Sequence, residues 1–116
     1  MNSRSVAFIL VLICTLLSTE TYAQELKKGM PFKQGRKLLL KEKWRPVNVH
    51  KNDGYEYLGL ERNMFNAHIT EVDACAVDRP LCVLHYKKGK DCLRLITQGE
   101  SLSELTVSSW TNECPE

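Results

Sequence analysis

The residues of this sequence that could do chemistry are chiefly its cysteines and histidines. Cys82 and His85, joined by Cys75 or Cys92, could be drawn as zinc ligands. The paired Cys-x-x-Cys spacing that is typical of zinc sites is absent, however. Four of the five cysteines lie beyond residue 70, and an even set of cysteines in an exported chain favours disulfides. A disulfide sulfur is neither a metal-binding thiolate nor a nucleophile. The sequence therefore predicts no metal, no cofactor and no catalytic cysteine.

The three histidines are the remaining candidates for catalysis. His50, His68 or His85 could act as a general base if a carboxylate held the ring. No serine in a strained turn accompanies them, and no pair of carboxylates stands out. Phosphate-binding glycine loops and calcium loops are also missing. We therefore predict no catalytic residue, while a small hydrolase-like enzyme with a His–carboxylate site stays open as the alternative.

The start of the chain has the three-part pattern of a cleavable signal peptide. Arg4 precedes an apolar run at residues 7–17, and Thr21 and Ala23 occupy the small-residue positions before a cut. The run is well short of the ~20 residues that a membrane-spanning helix needs. We expect removal of residues 1–23, no stable membrane insertion afterwards, and a periplasmic or secreted product.

Residues 24–116 would then form one small domain that needs covalent support. Four cysteines remain in it and imply two disulfides, for which three pairings exist. If a hairpin turns between Asp78 and Arg79, Cys75 lies directly opposite Cys82, at a distance that suits a disulfide. That register leaves the pair Cys92–Cys114.

One helix is predicted near the start of this domain. Pro31 suits a first turn, and Pro46 disfavours helix at the residue before it, so the helix should span residues 32–43. Gly35 weakens it but would allow close approach to a sheet. Its apolar face has a 3.6-residue period and comprises Phe32, Leu39, Leu40 and Trp44.

The rest of the domain has the pattern of a sheet. Residues 55–70 fit either a short helix or an irregular loop. A turn between Lys88 and Gly89 would place Leu84 opposite Leu93. The predicted strands are 47–50, 72–77, 81–86, 92–97 and 105–110. The predicted core face of the sheet comprises Leu84, Tyr86, Leu93, Leu95, Leu105 and Val107. The expected fold is α+β, an N-terminal helix packed on an antiparallel β-meander of about four strands with two disulfides.

Charge is unevenly distributed along the chain. The net charge of +2 is too mild to indicate nucleic-acid binding. Eight basic residues and one acidic residue lie within residues 27–45, whereas only acidic charges follow Arg94. Lys33, Lys37 and Lys41 repeat every four residues on one helix face, and we expect them to bind an acidic protein or envelope component. Alternatively, the two ends neutralise each other on folding, or the lysines only keep the domain in solution.

Several short motifs resemble a pattern of small uncharacterised secreted bacterial proteins. They are Lys28-Gly29-Met30-Pro31-Phe32, Arg36-x-x-Leu39, Trp44-x-Pro46, Glu71-Val72-Asp73-Ala74-Cys75 with Cys82, and Leu95-Ile96-Thr97-x-Gly99. A helix on a meander is also loosely similar to the β-lactamase-inhibitor-protein fold and to outer-membrane assembly lipoprotein domains, which are binding modules. The resemblance implies a bacterial periplasm and transfers no catalytic residue.

Taken together, the patterns favour a small exported binding protein that is not an enzyme. This hypothesis is based on a sheet held by two predicted disulfides, on the uneven distribution of charge along the chain and on the lack of a catalytic motif. The hydrolase-like alternative would be favoured by a histidine and an acid that converge in a cleft. A purely structural envelope protein is the third possibility.

Overall fold

The computed structural model describes residues 25–116. The predicted signal peptide, residues 1–23, lies outside the described residues. The elements, in chain order, are α1 (Phe32–Lys41), β1 (Arg45–Pro46), α2 (Leu60–Asn66), β2 (Val72–Cys75), β3 (Leu81–Lys88), β4 (Asp91–Gln98), a 3₁₀ helix (Leu102–Glu104) and β5 (Thr106–Thr111).

All strands belong to one antiparallel sheet. β2, β3, β4 and β5 follow each other as a meander, and the two-residue β1 shares the outer edge of β3 with β2. The disulfides are Cys75–Cys82 and Cys92–Cys114. The predicted α+β fold and both disulfide pairings are therefore confirmed.

The core lies between α1 and one face of the sheet. All six predicted core residues of the strands and the loop before β5 are buried, and so are Phe32, Leu39 and Trp44. Leu40 is 38% exposed, so its assignment to the core was wrong. Successive helix residues are about 100° apart, and α1 turns Leu39 to the sheet and Leu40 towards solvent.

Gly35 is the point where α1 comes closest to the sheet. A Cβ atom there would lie 3.0 Å from Val107 Cγ2 and 3.1 Å from Leu26 Cδ1. Glycine thus permits the close approach that the sequence predicted, at the cost of some helix propensity.

The strand predicted at residues 47–50 is absent, which corrects that expectation. The pairing with β3 covers Arg45 and Pro46, and one further bond joins the Val47 N–H to the His85 carbonyl oxygen at 3.0 Å. The His85 N–H donates to the Glu71 carbonyl oxygen at 3.1 Å. From His85 towards the start of β3, the same edge of β3 is occupied by β2. The chain after Val47 therefore leaves the sheet and forms a turn.

The register of the β3–β4 hairpin differs from the prediction by two residues in the partner of each β3 position. Leu84 lies opposite Leu95, and Leu93 lies opposite Tyr86. Lys88 pairs with Asp91, so the two turn residues are Gly89 and Lys90. The first position of this turn has a φ of 62°, and glycine adopts this angle without strain, which favours Gly89 there. Side chains on a strand alternate between the two faces of the sheet. A shift of two residues therefore leaves every side chain on its predicted face.

Candidate functional site

A cluster of histidines and aspartates lies on the sheet face opposite the core. His85 is paired with Arg94 across β3 and β4, and both line a cleft that also contains His50, Asp73 and the C-terminal tail near Cys114. Asp73 sits in a β-bulge of β2, where the register with β3 shifts. The bulge brings its carboxylate between the two histidines.

His50 uses both of its ring nitrogens. Nδ1 lies 2.8 Å from Asp53 Oδ2, and Nε2 lies 2.6 Å from the backbone carbonyl oxygen of Asp73. A carbonyl oxygen only accepts, so Nε2 donates, and a proton on Nδ1 as well makes the ring an imidazolium. Burial lowers the pKa of His50, but the hydrogen bonds and charges of Asp53 and Asp73 outweigh it and raise the pKa.

His50 also holds an aromatic cluster together. Its ring stacks on Tyr55 with centroids 3.8 Å apart, and Tyr57 meets both rings edge-on. Tyr57 in turn stacks on Phe65 of α2 at 4.3 Å. The cluster therefore fastens the loop between β1 and α2 to the rest of the domain.

His85 has a different environment. It is 3% exposed, and its Nε2 lies 2.9 Å from Asp73 Oδ2. Its Nδ1 is buried and has no hydrogen-bond partner among residues 25–116. The nitrogen that an Asp–His pair would offer as a base is therefore enclosed.

This geometry bears on the hydrolase-like alternative. A histidine and an acid do converge in a cleft, which was the condition that would favour it. A general base, however, needs an unprotonated nitrogen within reach of a substrate. Both His50 nitrogens are engaged, the free His85 nitrogen is enclosed, and the exposed His68 forms no hydrogen bond or ion pair with a described carboxylate. The arrangement is suited to holding the loop in place.

The structure also gives the state of the proposed zinc ligands. Cys75, Cys82 and Cys92 are in disulfides, so none offers a thiolate. Within the described residues, no three side chains of His, Cys, Asp or Glu are placed to hold a metal ion. No helix in residues 25–116 is long and apolar enough to cross a membrane.

The predicted lysine row lies on the outer side of α1. Lys33, Lys37 and Lys41 are exposed, whereas the helix buries Phe32, Gly35 and Leu39. None of the three lysines has a carboxylate oxygen within 4.0 Å in the described part of the chain. The described ion pairs also include none between residues 27–45 and the acidic residues after Arg94. Folding thus leaves the row without ion-pair partners from residues 25–116.

One basic residue of α1 has a structural partner. Arg36 donates to both carboxylate oxygens of Glu71, with its Nη2 3.1 Å from Oε1. The Glu71 side chain is fully buried and also accepts a 2.6 Å bond from the Tyr86 hydroxyl. Arg36 is therefore unlike the three lysines, since it neutralises a charge inside the domain.

Three residues of this cluster, Asp53, Asp73 and Tyr55, were not among the site residues predicted from the sequence. A His-x-x-Asp spacing within the turn at residues 50–54 was a local signal for the bond between His50 and Asp53. Nothing local indicated Asp73, because its position depends on a bulge in a distant strand.

Comparison with protein-family models, with curated proteins and with solved structures finds no significant match to this chain. The resemblance to small secreted bacterial proteins therefore stays a prediction.

Proposed function

We propose that this protein works after export, in the periplasm or outside the cell, as a small binding protein, and that removal of residues 1–23 precedes its action. Its partner is an acidic protein or envelope component. The observation that carries the proposal is the row of Lys33, Lys37 and Lys41, exposed on α1 and without ion-pair partners among residues 25–116.

The export part of the proposal is supported by the disulfides. Two disulfides close within residues 25–116, and such bonds form and persist in oxidising compartments. The N-terminal pattern of residues 1–23 agrees with that compartment.

The binding part is supported by the spacing of the row on a helix that is packed against the core. Residues four apart on a helix are neighbours on its surface, so three ammonium groups present a line of positive charge. The helix is anchored by buried Phe32 and Leu39 and does not need the lysines for packing. Such a fixed line of charge steers an anionic partner and raises its association rate.

The test compares two triple variants of the secreted protein with equal loss of charge. Lys33→Gln/Lys37→Gln/Lys41→Gln removes the row, and Lys28→Gln/Lys51→Gln/Lys90→Gln removes three exposed lysines elsewhere. The probe is a capped peptide that alternates Glu and Ser, with association rates measured at low and moderate salt. Thermal unfolding should be nearly unchanged in both variants, because exposed charges contribute about 0–1 kcal/mol.

We expect the row variant to associate several-fold more slowly and to show a shallower salt dependence, while the control variant stays close to wild type. Equal losses in both variants would mean that only net charge matters, and the proposal would fail. The same two variants, applied to envelope extract, would show which captured proteins depend on the row.

A further inference from the structure

Two exposed apolar residues, Leu58 and Val77, line one groove. Val77 is fully exposed at the tip of the β2–β3 hairpin, and Leu58 is 59% exposed in the segment before α2. The groove between the hairpin, residues 75–82, and the segment of residues 55–61 is named here the hairpin groove. A single exposed valine or leucine is ordinary, but two that flank one concave surface are typical of a binding site.

Both walls of the hairpin groove are held rigidly. The Cys75–Cys82 disulfide closes the hairpin at its base. The nearly buried carboxylate of Glu61 accepts a 2.7 Å bond from the Cys75 N–H and a 2.9 Å bond from the Tyr55 hydroxyl. The two walls are thus joined through Glu61, and a ligand would not have to order them on binding.

Two backbone groups on the edge of β2 beside the groove already have partners. The Cys75 N–H is bonded to Glu61, and the Asp73 carbonyl oxygen is bonded to His50. A strand added to this edge would have to compete for both groups. Recognition in the groove therefore depends on side chains and not on extension of the sheet.

Negative charges predominate around the groove. Glu56, Asp78 and Glu100 are exposed and line it, whereas Arg79 is its basic residue and lies 3.9 Å from Asp78. Apolar walls with an acidic rim complement a ligand that has an apolar side chain between cationic ones.

We infer that the hairpin groove binds an exposed segment of a partner protein in which an apolar residue is flanked by Lys or Arg. The apolar residue packs between Leu58 and Val77, and the cations meet Glu56 and Glu100. This site goes beyond the lysine row of α1, since it selects the opposite charge.

The experiment measures binding of a short capped peptide that alternates Lys and Leu, by fluorescence anisotropy at low salt. Two further peptides serve as comparison, one with Ser in place of Leu and one with Glu in place of Lys. The protein variants are Leu58→Ser/Val77→Ser for the walls and Glu56→Gln/Glu100→Gln for the rim. Their matched controls are Leu40→Ser, which removes an exposed leucine of α1, and Glu113→Gln/Glu116→Gln.

We expect the wall variant to weaken binding of the Lys–Leu peptide at least tenfold and the rim variant to weaken it several-fold with a shallower salt dependence. Both controls should bind like wild type, and both comparison peptides should bind at least tenfold more weakly. All four substituted surfaces are exposed, and near-native circular dichroism would show that the variants fold. Equal binding of the Ser-containing peptide, or equal losses in the controls, would overturn the inference.

Discussion

The Nε2 atom of His50 lies 2.6 Å from the backbone carbonyl oxygen of Asp73. This oxygen belongs to Asp73 in the bulge of β2, where the register with β3 shifts. Without His50 it would be an open acceptor at the edge of the sheet. The bond requires a proton on Nε2, and the Asp53 carboxylate favours a second proton on Nδ1.

The first prediction is that the stability of the domain falls as His50 loses its charge. The pKa of His50 is raised above the ordinary value of 6.5, because bonds to Asp53 and Asp73 outweigh its burial. A raised pKa contributes stability that is fully present below about pH 6.5 and is lost as the pH rises through the folded-state pKa. The measurement is the free energy of unfolding across this range for wild type and His50→Gln, which can donate to Asp73 but does not titrate.

The wild type should lose more stability than the variant over that rise in pH. Asp53, Asp73, Tyr55 and Tyr57 contact the ring, and His85 binds the same Asp73 carboxylate. All five residues remain in both proteins, so the comparison isolates the effect of His50. NMR titration of the His50 imidazole signals provides a direct check. A His50 pKa at or below the ordinary value of 6.5 would contradict the assignment.

The second prediction concerns the buried carboxylate of Glu71. Arg36→Met should destabilise the domain by about 3–5 kcal/mol, because it leaves a fully buried charge without its ion-pair partner. Tyr86→Phe removes only one hydrogen bond to the same group and should cost about 1.5–3 kcal/mol. Urea unfolding measures both.

Replacing Arg36 and Glu71 together by methionine should recover part of the loss, since the uncompensated charge is then removed. A cost of Arg36→Met that is smaller than that of Tyr86→Phe would show that solvent, and not Arg36, balances Glu71.

The third prediction compares how much each of the two disulfides contributes to the stability of the domain. Cys92–Cys114 spans 22 residues and Cys75–Cys82 spans 7, so the first restricts the unfolded chain more. Chain-entropy scaling gives a difference of about 1 kcal/mol. Cys92→Ala/Cys114→Ala should therefore cost more stability than Cys75→Ala/Cys82→Ala.

Each pair joins a buried cysteine to a more exposed one, so the losses of packing partly cancel in this comparison. Chemical denaturation of the two double variants decides the order. The reverse order would show that the short bond acts chiefly on the native hairpin.

The fourth prediction concerns Gly35, where helix propensity and packing oppose each other. Alanine would gain up to about 1 kcal/mol of helix propensity, but overpacking a core costs about 1–3 kcal/mol. Because the new Cβ would lie 3.0 Å from Val107 Cγ2, we expect Gly35→Ala to destabilise the domain.

The same substitution should cost less, or stabilise, in a Val107→Ala background, where the opposing methyl group is gone. Thermal unfolding of the four proteins completes this double-mutant cycle. Additive effects would mean that Leu26, at 3.1 Å, is the obstacle instead.

The sequence by itself determined the features that depend on local pattern. Period-2 alternation and turn residues located β2 to β5, and a 3.6-residue period located α1. The turn at Asp78 and Arg79 placed Cys75 opposite Cys82, which left one pairing for the other two cysteines. Even the wrong register at Gly89 kept Leu84 and Leu95 on the core face, because side chains alternate and the error was an even number of residues.

Tertiary structure decided what depends on residues far apart in the chain. Three features belong here: the exposure of Leu40, the end of β1 at Pro46 and the bulge at Asp73. They depend on how α1 packs on the face of the sheet and on how β2 pairs with the edge of β3. No local pattern encodes them. The hairpin groove depends on Glu61 reaching a strand fourteen residues away. Such contacts form only when the whole core packs, since the bulge, the loop and the hairpin each acquire their geometry from the others.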